Sequence, residues 1–172
     1  TELILGDRSH TFMYEAGGIS AFGGIHSRQL NNNDDGTINL DYIKTAVRSD
    51  DIHFPRTAAV CLENTHNMCF GTPLSPDYIA SVSDIVKDNR LKLHIDGARI
   101  FNAAVALNID VKELVNNADS VTFCLSKGLS APVGSVVCGA EEFINKVRRI
   151  RKGLGGGMRQ AGIIAAGGII AL

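Results

Sequence analysis

The chain has 172 residues, of which 45% are hydrophobic, and this is enough for one domain with a sizeable core. Its formal net charge of −1 gives no indication of a nucleic-acid or membrane-surface partner. The longest apolar run, 161–172, is too short to span a bilayer.

The four cysteines lack the spacing of a metal site. Cys61, Cys124 and Cys138 lie in apolar, strand-like runs and are expected to be buried thiols, whereas Cys69 lies in a loop. This pattern fits a reducing cytoplasm better than a disulfide framework or a zinc site. We therefore expect a cytoplasmic protein with no bound metal.

The first half of the chain alternates short apolar runs with turn residues. Strands are expected over residues 1–5, 25–30 and 58–62. A short helix is expected from His10 to Ala16, ending at Gly17 and Gly18, because glycine readily adopts the positive φ of a helix stop. Asn39 is expected to cap the next helix, which carries Leu40, Ile43 and Val47 on one face.

The second half repeats a strand-then-helix pattern. Ser75 and Pro76 are expected to start a helix, since serine caps helices and proline suits the first turn. Strands follow over 91–95, 120–125 and 134–138, and helices over 100–107, 111–115, 140–152 and 161–172. We expect the last strand to be antiparallel, at or near the sheet edge. Such alternation indicates an α/β protein with a mostly parallel sheet.

Two of the apolar runs end on a charged residue followed by glycine. The run 91–95 leads to Asp96 and Gly97, and the run 120–125 leads through Ser126 to Lys127 and Gly128. Parallel strands deliver such residues to one edge of the sheet, where open α/β sheets bind ligands. An aspartate and a lysine so placed suit pyridoxal phosphate, because the amine forms a Schiff base and the carboxylate holds the pyridine nitrogen protonated. A surface ion pair or helix-cap chemistry is the ordinary alternative.

Five short pieces of sequence, in order, extend this interpretation. They are His10 with 15–18 (EAGG), 63–67 (ENTHN), 94–99 (HIDGAR), 125–129 (LSKGL) with 132–135 (PVGS), and 155–160 (GGGMRQ). In this order they resemble the threonine aldolase family, within the fold-type-I pyridoxal phosphate enzymes. The resemblance implies a three-layer α/β fold, with a mostly parallel sheet and helices on both faces, as in an incomplete aminotransferase-like large domain.

The resemblance also implies roles for individual residues. Lys127 would attach the cofactor, and Asp96 would pair with its ring nitrogen. His10 would stack on the cofactor ring, and His66 would lie near the substrate hydroxyl. A surface or core histidine is the alternative for each of them. Arg99 would bind the substrate carboxylate, although a structural ion pair with Asp96 is an alternative.

Further residues are assigned more loosely. Ser126 flanks Lys127 in the cofactor site, Tyr14 would border the substrate pocket, and Arg159 would contact the cofactor phosphate, across a subunit interface or within one chain. A core tyrosine and a helix-start charge are the alternatives for the last two. The remaining histidines are expected to be structural: His26, His53 and His94.

Measured against the family, residues 1–172 are expected to form a single domain, the central part of a pyridoxal-phosphate-binding large domain. An N-terminal part and a C-terminal small domain would be missing. The usual phosphate-cupping turn lies upstream in the family, and the second carboxylate-binding arginine lies downstream. We therefore expect weak cofactor binding by this chain alone.

The expected reaction is retro-aldol cleavage of L-threonine or L-allo-threonine to glycine and acetaldehyde. Lys127, His66 and His10 would be the catalytic residues, the substrate is a small amino acid, and the full-length parent would be a homodimer or homotetramer. A β-eliminating amino-acid lyase of the same fold is the first alternative. A truncated, non-catalytic fragment is the second.

Overall fold

A computed structural model describes all 172 residues. Six strands are present: β1 (Glu2–Gly6), β2 (His26–Leu30), β3 (Thr57–Glu63), β4 (Lys92–Asp96), β5 (Ser120–Cys124) and β6 (Ser135–Gly139). Seven α-helices accompany them: α1 (His10–Met13), α2 (Gly18–Ala21), α3 (Leu40–Ala46), α4 (Pro76–Asp88), α5 (Ile100–Leu107), α6 (Glu141–Gly153) and α7 (Gly162–Ala171). A single 3-10 turn spans Val111–Leu114.

The strands form one six-stranded sheet in the order β2-β1-β3-β4-β5-β6. All neighbouring pairs from β2 to β5 are parallel, and only β6 pairs antiparallel, with β5. The mostly parallel sheet and its antiparallel edge strand are confirmed. The carboxyl ends of five strands therefore meet at one edge of the sheet.

The main hydrophobic core lies on one face of this sheet. Leu93 and Ile95 of β4 belong to a cluster of 19 buried residues, to which α3, α4 and α5 contribute Ile43, Val82 and Ile100. Because side chains alternate along a strand, His94 and Asp96 point to the opposite face. The core thus fixes the direction in which Asp96 is presented.

The opposite face carries α1, and α7 packs against the loop between β5 and β6. Thr11 of α1 contacts Asp96, and α7 lies with Gly167 against Pro132 and with Gly168 against Leu125. Helices therefore flank both faces of the sheet. The protein has the three-layer, fold-type-I aminotransferase-like α/β architecture that the sequence predicts.

Both expected helix caps form. The side chain of Asn39 accepts a hydrogen bond from the amide of Asp41 at 2.8 Å, and Ser75 accepts one from the amide of Tyr78 at 3.2 Å. Each bond satisfies one of the free amides at a helix start. These caps place α3 and α4 at the boundaries the sequence predicts.

The predicted helix from His10 to Ala16 is wrong in its length. It ends at Met13, Ala16 and Gly17 adopt left-handed φ values of 50° and 67°, and α2 follows at once. Two successive left-handed residues cannot continue a right-handed helix. The chain therefore reverses one turn earlier than the glycine pair indicates.

The cysteine expectations are partly wrong. Cys61 is buried as predicted, but Cys138 is exposed, Cys124 is half-buried, and the loop residue Cys69 is completely buried. Cys138 is exposed because β6 is the edge strand, and the sulfur of Cys69 points inward to the carbonyl oxygen of Asn33 at 3.5 Å. An apolar run thus predicts a strand but not the position of that strand in the sheet, and so it does not predict whether a cysteine in the run is buried.

Helix α7 leaves much of its apolar surface open. Ile163 is 93% exposed and Ile170 is 87% exposed, and their spacing of seven residues places them on one face. None of the helices is both long enough and apolar enough to cross a membrane.

Because exposed apolar faces drive association, we expect the isolated 172-residue chain to self-associate at tens of micromolar in light scattering. Replacing Ile163 and Ile170 together by glutamate should raise the monomer fraction. The matched control replaces two exposed residues outside α7, Tyr42 and Val105, by glutamate. A clean monomer of the unmodified chain would contradict this expectation.

Candidate active site

Asp96 and Lys127 line one cleft at the carboxyl edge of the sheet. β4 ends at Asp96, whose register partner on β5 is Thr122, and Lys127 follows the end of β5. The cleft has a volume of about 300 Å³ and is lined by His10, Thr11, Glu15, His94, Asp96, Ala98, Thr122, Phe123, Cys124, Lys127 and Ser135. The convergence of the two strand ends is therefore as the sequence predicts.

The loop that presents Lys127 is held by its own backbone. Ser130 donates its amide to the carbonyl oxygen of Lys127 at 3.0 Å, and Ala131 donates to that of Leu125 at 3.0 Å. Gly128 lies against α5, where an added Cβ would meet the side-chain oxygen of Asn102 and displace that side chain. The glycine after Lys127 therefore lets the loop approach α5 with the Asn102 side chain in its present position.

The carboxylate of Asp96 has a hydrogen-bond donor on each oxygen. The amide of Ala98 donates to Oδ1 at 3.3 Å, and the hydroxyl of Thr11 donates to Oδ2 at 3.1 Å. Asp96 makes no ion pair with Arg99 or with any other residue. The alternative role of Arg99, a structural ion pair with Asp96, is therefore absent. The Asp96 carboxylate can still accept a further hydrogen bond from a group in the cleft.

A second carboxylate, that of Glu63, anchors the surrounding segments. Glu63 is Asp96's register partner at the end of β3 and is buried. It accepts hydrogen bonds from the amide of His10 at 2.7 Å and from the amide of Asn67 at 2.9 Å. One buried carboxylate thereby fixes both α1 and the turn after β3 against the site.

His10 stands at the mouth of the cleft, half-exposed. Its Nδ1 lies 3.2 Å from Oε1 of Glu15, and its ring centroid is 5.3 Å from that of Tyr14. Tyr14 in turn donates its hydroxyl to the sulfur of Met68 at 3.3 Å. The predicted ring-stacking histidine and pocket tyrosine are therefore neighbours beside the cleft.

His66 lies apart from the cleft. It is 1% exposed, neither ring nitrogen has a hydrogen-bond partner, and its Nε2 is 3.9 Å from Oε2 of Glu63. Burial lowers the pKa of His66, against the opposing effect of the Glu63 charge. The ring is covered by Gly36, whose φ of 81° and close approach leave no room for a side chain.

The other predicted residues do not line the cleft. Arg99 is half-buried and donates from Nη1 to the side-chain oxygen of Asn67 at 3.2 Å. Ser126 is exposed in the turn before Lys127, and Arg159 is exposed in the segment before α7. The structure thus brings together Lys127, Asp96 and His10, and leaves Ser126 and Arg159 at the surface.

Three residues of the site were not assigned a role from sequence. Thr11 binds the carboxylate of Asp96, and Glu63 binds the amides of His10 and Asn67. His94, which was expected to be structural, lines the cleft. The Nδ1 of His94 is 2.8 Å from the Ser120 hydroxyl oxygen, and burial lowers its pKa despite the nearby charge of Asp96. The signal for His94 was its position two residues before Asp96, which puts both on one face of β4.

The thiol of Cys61 lies on the same face of the sheet. Burial, reinforced by the charge of Asp96, raises the pKa of Cys61 to about 12. The thiol is therefore protonated at neutral pH, as expected for a cysteine away from positive charge. No three His, Cys, Asp or Glu side chains are clustered so that they could hold a metal ion.

The donor set fits pyridoxal phosphate. The cofactor needs a lysine amine for attachment and a carboxylate beside its ring nitrogen, and both face this cleft. His10 offers an aromatic ring at the cleft mouth. The cleft volume of about 300 Å³ lies at the lower end of the usual range for small-molecule sites, about 300–1,000 Å³.

Comparison with known proteins agrees with these features. The family model described as "Beta-eliminating lyase" matches residues 1–172. The chain is 50% identical over 174 residues to "Low-specificity L-threonine aldolase 1" of Arabidopsis thaliana, covering 100% of this chain and 49% of that protein. It is 46% identical over 171 residues to "Low specificity L-threonine aldolase" of Escherichia coli K12, covering 99% of this chain and 50% of that protein.

A solved structure shares the fold. The threonine aldolase of Leishmania major superposes with a TM-score of 0.80 at 20% identity, covering 98% of this chain and 49% of that one. The chain spans about half the length of the curated relatives it matches.

Proposed function

The chain belongs to the β-eliminating lyase family, and we propose that it is part of a pyridoxal-phosphate-dependent threonine aldolase. The reaction would be cleavage of L-threonine or L-allo-threonine to glycine and acetaldehyde. The observation that carries the proposal is the single cleft lined by Lys127, Asp96 and His10. Relatives that are 46–50% identical and bear this name support the choice of reaction within the family.

The proposal extends to the whole protein. Residues 1–172 would be the central part of a cofactor-binding large domain, in a cytoplasmic homodimer or homotetramer acting on a small amino acid. All four cysteines are free thiols, which supports a reducing compartment. The chain covers about half the length of the curated relatives it matches, which supports a longer full-length protein.

The chain's own side chains would share the chemistry as follows. Bound pyridoxal phosphate supplies an electron sink for the pair released when the Cα–Cβ bond breaks. Lys127 would hold the cofactor covalently through its amine, Asp96 would accept a hydrogen bond from the ring nitrogen, and His10 would support the ring. Arg99 would bind the substrate carboxylate, because its planar fork suits that group.

The base for the β-hydroxyl proton would be His66 or a water that it holds. Burial lowers the pKa of His66, so its imidazole is neutral at neutral pH and able to accept a proton. Because the ring does not line the cleft and both of its buried nitrogens lack a hydrogen-bond partner, we propose that a water molecule bound at one of these nitrogens carries the proton between the substrate and His66. Ser126 and Arg159 would complete the cofactor site, with Arg159 directed at the phosphate.

The test is product analysis with the full-length protein. Incubation with pyridoxal phosphate and L-threonine should release acetaldehyde and glycine. Release of ammonia with a 2-oxo acid, such as pyruvate from L-serine, would instead assign a β-eliminating lyase. If no visible absorbance of lysine-bound cofactor and no product appear, the protein is a non-catalytic member of the fold.

A further inference from the structure

Two consecutive residues of α1 bind two neighbouring carboxylates of the sheet. The amide of His10 donates to Glu63 at 2.7 Å, and the hydroxyl of Thr11 donates to Asp96 at 3.1 Å. Glu63 and Asp96 are register partners at the ends of β3 and β4. Helix α1 therefore bridges two like-charged groups by giving a donor to each.

These two bonds are the hydrogen bonds that tie α1 to the sheet. The helix has only four residues, none of them buried, and its first turn has no side-chain cap. A helix of this length has little stability of its own. The position of the His10 ring at the mouth of the cleft therefore depends on the contacts of His10 and Thr11 with the sheet.

Thr11 also determines how Asp96 faces the cleft. With Ala98 on Oδ1 and Thr11 on Oδ2, rotation of the carboxylate would break one of the two bonds. Hydrogen bonds to a charged group are among the stronger ones in proteins. Thr11 itself lines the cleft, so its hydroxyl acts at the wall that a bound ring would touch.

We propose that Thr11 is a positioning residue of this site. It orients the Asp96 carboxylate toward the ring nitrogen of pyridoxal phosphate and keeps α1, with His10, against the cleft. This inference rests on the proposed function, because it requires that the cleft binds this cofactor. Thr11 acts through Asp96 and takes no part in bond making or breaking.

The test is Thr11→Val in the full-length protein, since valine keeps the shape of threonine and removes the hydroxyl. Loss of a hydrogen bond to a charged group should weaken pyridoxal phosphate binding by roughly 10- to 100-fold. With ¹⁵N-labelled cofactor, the ring-nitrogen resonance should move toward the unprotonated position. Thr11→Ser keeps the hydroxyl and should restore both the affinity and the resonance.

The matched control is Met13→Leu, a change at an exposed position of the same helix. It should leave cofactor affinity and the ¹⁵N resonance unchanged, which separates loss of the hydroxyl from general disturbance of α1. Wild-type affinity and resonance in Thr11→Val, with cofactor bound, would overturn the role of Thr11 and leave the proposed function standing. Failure of the wild-type protein to bind the cofactor would overturn the proposed function, and this inference with it.

Discussion

Lys127→Ala in the full-length protein should abolish both the visible absorbance of lysine-bound cofactor and threonine cleavage. Lys127 is the only lysine lining the cleft with Asp96, so no other amine on that wall can attach the cofactor. Nucleophilic amine chemistry is lost when the amine is removed. Absorbance spectra and acetaldehyde release, measured on one preparation, check the prediction.

The control for Lys127→Ala is Lys44→Ala, which removes an exposed lysine from α3. Its ion pair with Asp41 is on the surface and contributes little to stability. This variant should keep the spectrum and the activity of the wild type. Retention of lysine-bound cofactor by Lys127→Ala would mean that another lysine holds it.

His66→Asn should behave differently, keeping attached cofactor while cleavage falls by roughly 10²–10⁴, the usual contribution of a positioned general base. His66 makes no hydrogen bond or ion pair with Lys127 or Asp96, and its one acidic partner within 4.0 Å is Glu63, at 3.9 Å. The change should therefore leave the spectrum intact. Acetaldehyde release and absorbance on the same sample measure the two effects separately.

The pH profile gives a second measure of His66. A base must be unprotonated, and burial lowers the pKa of this ring. The acid limb of cleavage should therefore lie below the ordinary histidine value of about 6.5 and should be absent in His66→Asn. His53→Asn makes the same substitution in an exposed loop and should keep the wild-type profile.

Two results would reassign His66. Near-normal cleavage by His66→Asn would move the base to His10 or to an ordered water. Loss of cofactor in that variant would make His66 a structural or binding residue. Its complete burial makes the second result informative, because a smaller side chain at this position leaves a cavity.

The convergence of Asp96 and Lys127 could be predicted because each signal is local. Each residue follows an apolar run, and the parallel arrangement brings the ends of such runs to one edge. The same reasoning applied to Glu63, which ends β3, would have found the buried carboxylate beside Asp96. His94 could also have been placed in the cleft from the alternation of side chains along β4.

The contacts that shape the site depend instead on distant packing. Thr11 and Asp96 are 85 residues apart, and His10 and Glu63 are 53 residues apart. No period or spacing in the sequence links such pairs. The early end of α1 is also hidden, because Ala16, a non-glycine residue that the sequence does not mark, already adopts a left-handed φ of 50°.

The burial of His66 was equally inaccessible from sequence. Its motif follows a buried strand, which predicts arrival at the sheet edge, but not the turn that covers the ring. That cover comes from Gly36, a residue 30 positions earlier in a polar turn. Tertiary packing decided whether the histidine faces the cleft or the interior.

The most direct test of the site is to locate the residue that carries the cofactor. The full-length protein is incubated with pyridoxal phosphate, reduced with borohydride to make the attachment permanent, digested, and mapped by mass spectrometry. The cleft geometry predicts the modification on Lys127, in the peptide that contains Leu125-Ser126-Lys127-Gly128. Stoichiometric modification of a different lysine, with Lys127 unmodified, would contradict it.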